Sequence, residues 1–371
     1  MKTGLKIGIT AVAGINPVSA LWSSGINQNI VYLGLLLQRL PEVGQVSLVS
    51  CPAGAQLPHP LADMFGLMTI DLADAVERLD VIIELGARAE PTLTRKLRER
   101  GGRLVSYMAG NTMVMNFEAM SNRVPYGDNV IDIEFDSVWI TPQHWRTNRS
   151  YAHITRSPHV EMAPHIWSPM CLEQSAFRLK TNPHWRPPQN GKWRLGVFDP
   201  NVNVVKTFHF PLLVAEQCWR LDQNLIDRIL LFSANHLIGN PHFEQFCASL
   251  DIRRAGKVFA EARFPLAQVL GEHIDAVVTH QWENALNYLY WDVLYLGWPL
   301  VHNSEMFKET GYYYPEFDPV TGGQVLRDAL RDHAKRAPEE RSKVLETLWR
   351  FHIDNPLVQR QHSELLERLM G

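Results

Sequence analysis

Cysteine is scarce and dispersed in this chain: Cys51, Cys171, Cys218 and Cys247 among 371 residues. None forms a C-x-x-C pair or stands at a zinc-like spacing, so the four are read as reduced thiols of a cytoplasmic protein. Long apolar runs are missing as well, and no segment is expected to cross a bilayer. The opening MKTGLKIGITAVAG holds one short apolar run broken by Gly8 and Thr10, the mark of a first strand rather than a signal peptide. Positive charge is not in excess, the net charge being −3 with fifteen histidines neutral. That balance gives no case for a nucleic-acid partner, although it leaves a local basic patch open. There is no G-x-x-x-x-G-K-[ST], no G-x-G-x-x-G after the first strand, no H-E-x-x-H and no G-x-S-x-G. A P-loop, a dinucleotide fingerprint, a zincin helix and a nucleophile elbow are thereby set aside.

What is present is alternation. Hydrophobic residues make up 46% of the chain and charged residues 20%, a soluble globular composition long enough for two domains. In the first half, buried strands are expected at 5–10, 46–50, 81–85, 104–108 and 137–140, the last of that half. Helices are expected at 26–40, where Ile30, Val31, Leu33, Gly34 and Leu37 recur at helical spacing, and at 91–100. A second alternation begins at Trp193, with strands at 195–198, 229–233 and 258–260 and helices at 210–221, 242–250 and 266–272. Strands alternating with helices imply parallel sheets covered on both faces. Residues 159–191 are dense in Pro and Asn and lack a sustained period. The expected division is a first Rossmann-like domain over 1–165, a linker over 166–192, a second Rossmann-like domain over 193–352, and a C-terminal helix over 353–371 packing back toward the first. Helices are expected at 338–351 and 356–370. The fold class is α/β, two doubly wound domains facing across a cleft.

The stretch DAVVTHQWENALNYLYWDVLYLGWPLVHNS, residues 275–304, organises the second half. A strand at 276–279 runs into His280, a helix is expected from 283 to 296, Gly297 stops it, and a strand follows at 299–302. On a helical wheel Leu286, Leu289, Tyr290, Val293 and Leu296 share one side. Asn284, Asn287, Tyr288, Trp291, Asp292 and Tyr295 share the other. A solvent-facing side would carry Lys and Glu. This one carries carboxamides, one carboxylate and rings, which suits a ligand cleft or an interface with another helix. Were this strip sealed inside its own lobe, the enzymatic reading would lose the ground on which it is placed here.

The second half resembles the donor-binding domain of glycosyltransferases of the GT-B fold. The likeness rests on Asp292, which stands where the family has a ribose-binding acid, and on Gly297-Trp-Pro299-Leu-Val301, which stands where it has a Gly-x-Pro-Val-Val turn. GVFDPNVNVVKT (196–207) and HQWEN (280–284) are similar to an uncharacterised bacterial group described only as glycosyltransferase-like. The sequence departs from the retaining families' paired glutamates, having Asn284 and Asp292 there with Glu283 one position early, and keeps Lys206 alone of an Arg-Lys pair. The resemblance implies a nucleotide-sugar donor in the second domain and an acceptor in the first. The absence of any D-x-D triplet speaks against the metal-dependent glycosyltransferase fold. No metal site and no cofactor beyond the nucleotide-sugar co-substrate are expected.

Physical reasons stand beside the resemblance. A nucleotide-sugar carries a diphosphate, and a helix N-terminus at 280–284 would offer it free N–H groups and a positive dipole end. His280 could donate to a phosphate oxygen, or simply cap a strand. Lys206 could neutralise charge building on the leaving diphosphate. Asp292 could accept from ribose hydroxyls. Asn201, Asn203, Ser233 and Asn235 lie at strand ends facing the same cleft, Glu283 and Asn284 lie in the 280–284 turn, and Arg263 with Phe264 follows a strand where a base could stack. For the acceptor, Gly25, Asn27 and Asn111 head the candidate loops, with Glu118 and Asp128 as possible general bases and ordinary loop acids as the plainer reading.

The expectation is a metal-independent glycosyltransferase moving a sugar from a nucleotide-sugar, with UDP as the nucleotide, to a hydroxyl of a glycan, small molecule or macromolecule. A nucleotide-sugar epimerase of the same fold and a non-catalytic sugar- or nucleotide-binding protein are the alternatives, and a nucleic-acid base is a further conceivable acceptor. Stereochemistry and sugar identity are not readable.

Overall fold

The computed structural model describes residues 3–16, 19, 24–55, 57, 59–122, 133–188 and 190–371. The chain divides into two compact units, Met1–Cys171 with Trp349–Gly371, and Leu172–Leu348.

The first unit is built on β1 (Leu5–Val12), β2 (Val43–Cys51), β3 (Met68–Asp71), β4 (Val81–Glu84), β5 (Arg103–Met108), β6 (Ser137–Ile140) and β7 (Val160–Met162). They pair in parallel in the order β3-β2-β1-β4-β5-β6-β7. The order reverses between β1 and β4, the switch point at which open α/β sheets bind ligands. Val81, Ile82 and Ile83 of β4 are fully buried, as expected of a strand covered on both faces. Each such side chain contributes roughly 1.5–3 kcal/mol. The helix Gly25–Leu37 begins at Ser24, whose side chain accepts from the Ile26 N–H, and buries Ile30, Val31, Leu33 and Leu37. It lies so close to the sheet end that a Cβ on Gly86 would stand 2.3 Å from Ile30 Cδ1 and 2.9 Å from the Thr10 carbonyl. A bare α-carbon is therefore required there.

The second unit carries β8 (Trp193–Val197), β9 (Ile226–Leu231), β10 (Val258–Ala260), β11 (Ala276–Val278), β12 (Leu300–His302) and β13 (Tyr312–Tyr313). They pair in parallel in the order β10-β9-β8-β11-β12-β13, with the reversal between β8 and β11. The core gathers Leu195, Val197, Leu212, Ala215, Ile229, Leu231 and Val278 with Leu326 and Ala329 of the long helix Pro319–Trp349.

Several local expectations are corrected. Strand β6 is not the last of its half, since β7 follows, and β3 and β13 were also unforeseen; all three span only two to four residues. Residues 166–192 are not all irregular, because Met170–Leu179 is helical. The helix expected to open at Pro338 is instead the continuation of Pro319–Trp349, with Pro338 in its interior. The four cysteines are free and buried. Among the described residues no helix is long and apolar enough to cross a membrane.

Candidate functional site

At the switch point of the second unit, β8 runs through Phe198 into Asp199, and β11 runs into Thr279, His280 and Gln281. Asp199 is 1% exposed. Its carboxylate oxygens each accept from Thr279 Oγ1 at 3.2 Å, and Oδ1 accepts from Gln281 Nε2 at 3.3 Å. Burial pushes this carboxyl up to about 7, opposed by the Lys206 charge and by bonds from Thr279, the His280 backbone and Gln281. Lys206 is half-buried. Burial holds its ammonium down to about 8; Asp199 works against that shift, and the Arg263 guanidinium adds to it. Lys206 thus feels two charges of opposite sign, Asp199 beyond the end of β8 and Arg263 beyond the end of β10.

The loop between Asp199 and Phe208 is clasped in place. Asn201 donates to the Asp199 carbonyl at 2.8 Å and accepts from the Phe208 N–H at 2.7 Å. Lys206 forms backbone bridges to Asn203 and to Gln281, and the Trp282 N–H donates to the Val205 carbonyl at 3.0 Å. From β12, the Asn303 side chain accepts from the Gln281 N–H and donates to the Gln281 carbonyl, both at 2.9 Å. Asn201, Ser233 and Glu283, which follow β8, β9 and β11, all hold left-handed backbone at φ 58°, 57° and 49°. Such positions cost about 1–3 kcal/mol each and cluster where a loop is held for function. The Ser233 N–H bonds the Ala262 carbonyl at 3.4 Å, which brings the end of β9 beside Arg263.

His280 is nearly closed to solvent. Its Nδ1 lies 3.0 Å from the Tyr314 hydroxyl, its ring stacks on Phe210 at 4.5 Å, and Phe317 lies 4.7 Å away. Burial holds this imidazole down to about 4, so it is neutral at pH 7 and supplies no cation.

The helix that was to carry the donor site is corrected in two respects. It spans Tyr288–Tyr295, with Asn287 as N-cap accepting from the Leu289 N–H, so 280–284 is not a helix N-terminus. Its polar side is not open: Asp292 and Asn284 are 4% exposed and Trp291 0%. The turn Glu305–Phe307 folds over it, placing the Phe307 ring 4.9 Å from Trp291, while Arg341 sits over Tyr295 and donates to the Leu294 carbonyl. Asn284 donates to Gln281 Oε1. Asp292 and Trp291 are closed to solvent in this way, so the open polar helix face on which the sequence rested the enzymatic reading is not there. Lys206, Ser233 and Arg263 are brought together at the strand ends, and Asn284 joins them only from beneath, through Gln281 to Asp199. Phe264 sets its ring edge-on to Phe232, which stacks on Phe198 at 4.6 Å.

In the first unit, Gly25 and Asn27 stand in the first turn of the helix Gly25–Leu37. Asn111 is buried, its carbonyl accepting from Val114 N–H, Thr147 Oγ1 and Asn148 Nδ2. Glu118 is half-buried on the helix Thr112–Asn122. Asp128 lies outside the described residues. The sequence reading missed Asp199 and Gln281, although an acid directly after a buried strand, as in Val197-Phe-Asp199, is a legible signal.

The chain is similar in structure to Alr3699/HepE of Anabaena in complex with UDP-glucose, at a TM-score of 0.60 and 12% identity over 98% of this chain and 100% of that one. It is similar to a glycosyltransferase from Rickettsia africae, at 0.57 and 10% over 99% of each chain. It is also similar to the N-terminal domain of Candida albicans trehalose-6-phosphate phosphatase, at 0.58 and 12% over 98% of this chain and 97% of that one. At these identities the likeness is one of fold: two parallel-sheet Rossmann-like domains matching the GT-B glycosyltransferases. No curated protein matches the chain. Residues 7–366 match the family described as "Protein of unknown function (DUF2827)", and the chain belongs to it.

Proposed function

We propose that this member of the DUF2827 family is a GT-B glycosyltransferase. It takes a sugar from a nucleotide-sugar, with UDP as the nucleotide, bound at the strand ends of the second unit, and passes it to a hydroxyl held by the first. The observation that carries this reading is the cluster of Lys206, Arg263 and Asp199 at the β8/β11 switch point. Lys206 and Arg263 set two positive charges beside the one carboxylate of Asp199, and a diphosphate brings two negative charges that such a pair suits. Arg263, from a different loop, would serve in place of the arginine missing from the local Arg-Lys pair. In the transfer step both cations would stabilise charge gathering on the leaving diphosphate, with no metal in that role. Ser233, in its left-handed turn beside Arg263, stays a donor contact. Asp292 drops out of the donor site, Asn284 supports Gln281 beneath Asp199, and His280 becomes a neutral buttress of the Thr279–Gln281 turn. The UDP-glucose held by the Anabaena relative supports UDP as the nucleotide.

Titration calorimetry of the intact chain with UDP and GDP tests the reading. UDP is expected to bind, and at least tenfold more weakly to Lys206→Met. Failure of both nucleotides to bind the parent protein would remove the proposal.

A further inference from the structure

Asp199 is closed to solvent, yet its surroundings suit both of its charge states. Asn284 donates to Gln281 Oε1, which fixes the carboxamide so that Nε2 faces the carboxylate and donates to Oδ1 at 3.3 Å. Thr279 Oγ1 stands 3.2 Å from both oxygens. A hydroxyl can donate and accept. It donates to the carboxylate when Asp199 is ionised, and it accepts from Oδ2 when Asp199 is protonated. Each oxygen keeps a partner in both states. The charge that opposes the burial of Asp199 is that of Lys206, whose loop is bridged to Gln281. Among the described residues the Lys206 ammonium has no ion pair or hydrogen bond of its own, so it acts on Asp199 through space and keeps its N–H donors to give. Arg263 bears on Lys206 in turn. The Tyr290 and Tyr314 phenols lie within the field of Asp199 and are uncharged, pushed well above their ordinary range by burial first and then by neighbours that include Asp199. His280, whose backbone bonds the carboxylate, is held neutral by burial. An anion that takes Lys206 therefore takes the counter-charge of a buried carboxylate, and such a group neutralises itself rather than stand alone.

We propose that a bound phosphate and Asp199 compete for Lys206, and that binding of a nucleotide-sugar drives one proton from solvent onto Asp199. As the ammonium turns to the phosphate, an O–H bond forms at Oδ2 and is donated to Thr279 Oγ1. The proton comes from the buffer, and no electrons change hands. The identity of the ligand rests on the glycosyltransferase reading; the exchange of a counter-charge for a proton needs only an anion at Lys206. Asp199 is a positioning residue, acting on the ligand through Lys206.

The test is infrared difference spectroscopy of the intact chain at pH about 7.5, washed first with UDP-glucose and separately with sulfate. The diphosphate of UDP-glucose is esterified at both ends and, like sulfate, takes up no proton near neutral pH. A new carboxylic-acid C=O band then comes from the protein. That band is expected with UDP-glucose, together with a loss of carboxylate signal, and it should shift when the aspartates are isotope-labelled. Asp199→Asn should remove it. In Lys206→Met the carboxyl has no counter-charge to lose, so the band should stand before any ligand is added and gain nothing from it. This second variant carries the test should Asp199→Asn fail to fold. Binding of UDP-glucose with no new acid band, or with a band that survives Asp199→Asn, would overturn the proposal. A band raised by sulfate while UDP-glucose fails to bind would defeat the donor reading and leave the exchange standing. If neither anion binds, both fall.

Discussion

The Tyr314 hydroxyl lies 3.0 Å from Nδ1 of His280 and donates to the Thr279 carbonyl at 3.3 Å. A phenol has one proton, and with that proton on the carbonyl the imidazole donates from Nδ1. Nε2 is left as the acceptor, facing Asn303 Nδ2 at 3.5 Å. Tyr314→Phe strips a partner from two buried groups at once. It is expected to lower the unfolding free energy by about 1–3 kcal/mol. The reading is the urea midpoint at unchanged slope, and a variant as stable as the parent would refute the arrangement.

Asp199 and Lys206 make stability depend on pH in two opposite ways. The Asp199 carboxyl, raised from 3.8 to about 7, keeps its proton in the native chain after the unfolded chain has lost it. The unfolded state then binds fewer protons, so stability falls as pH climbs through that interval. Lys206, lowered from 10.5 to about 8, loses its proton first in the native chain, so stability rises as pH climbs from about 8 toward 10.5. Urea midpoints should therefore dip between pH 7 and 8, and Asp199→Asn should flatten the acidic arm. Affinity for a UDP-sugar should be greatest below pH 7, where Asp199 is neutral and Lys206 charged, and should decline above pH 8.

Lys206 and Arg263 share one role from two loops. Lys206→Met and Arg263→Gln should each weaken UDP binding about tenfold, or roughly 1.4 kcal/mol. Because the two charges act on one another, the double variant should lose less than the product of the single losses. Calorimetry on all four proteins measures this, and strictly additive losses would separate the residues into independent sites.

Gly323 sits where the helix Pro319–Trp349 crosses His209–Leu221, and a Cβ there would stand 2.5 Å from Gln217 Cβ and 2.9 Å from the Cys218 nitrogen. Gly323→Ala gains about 1 kcal/mol of helix propensity. It meets main chain that cannot yield cheaply, and overpacking of this kind costs about 1–3 kcal/mol. Net destabilisation is expected, seen as a lower thermal midpoint; a stabilised variant would mean that the helices slide apart without cost.

Legibility followed the strength of the local signal. β1, β4, β8 and β11 are apolar runs bounded by polar residues, and each lies within two residues of its expected span at either end. β3, β7 and β13 are short and carry no period. The late helix departs from its sequence pattern both in where it starts and in what covers its polar face. Its start moved to Tyr288 because Asn287, and not a residue near Glu283, supplies the cap. Its polar face looked like a cleft wall because a wheel cannot see Glu305–Phe307, eleven or more residues downstream of Leu294, folding back onto Trp291. Arg263 escaped pairing with Lys206 for the same reason: only the sheet order brings the ends of β8 and β10 into one field.

The first unit is not a continuous stretch of chain. Its sheet meets the returning C-terminus through the Trp167 N–H to the Phe351 carbonyl at 2.8 Å, the Ile353 N–H to the Trp167 carbonyl at 3.1 Å, and Arg368 to Glu161 at 3.0 Å. On the ribosome, residues 1–171 must therefore wait, with Val358, His362 and Leu366 still missing from their packing, until the whole of 172–348 has been made. The second unit can close on itself as it emerges; the first is finished last. A nascent chain halted near residue 348 should carry one protease-resistant lobe, and it should be the later one.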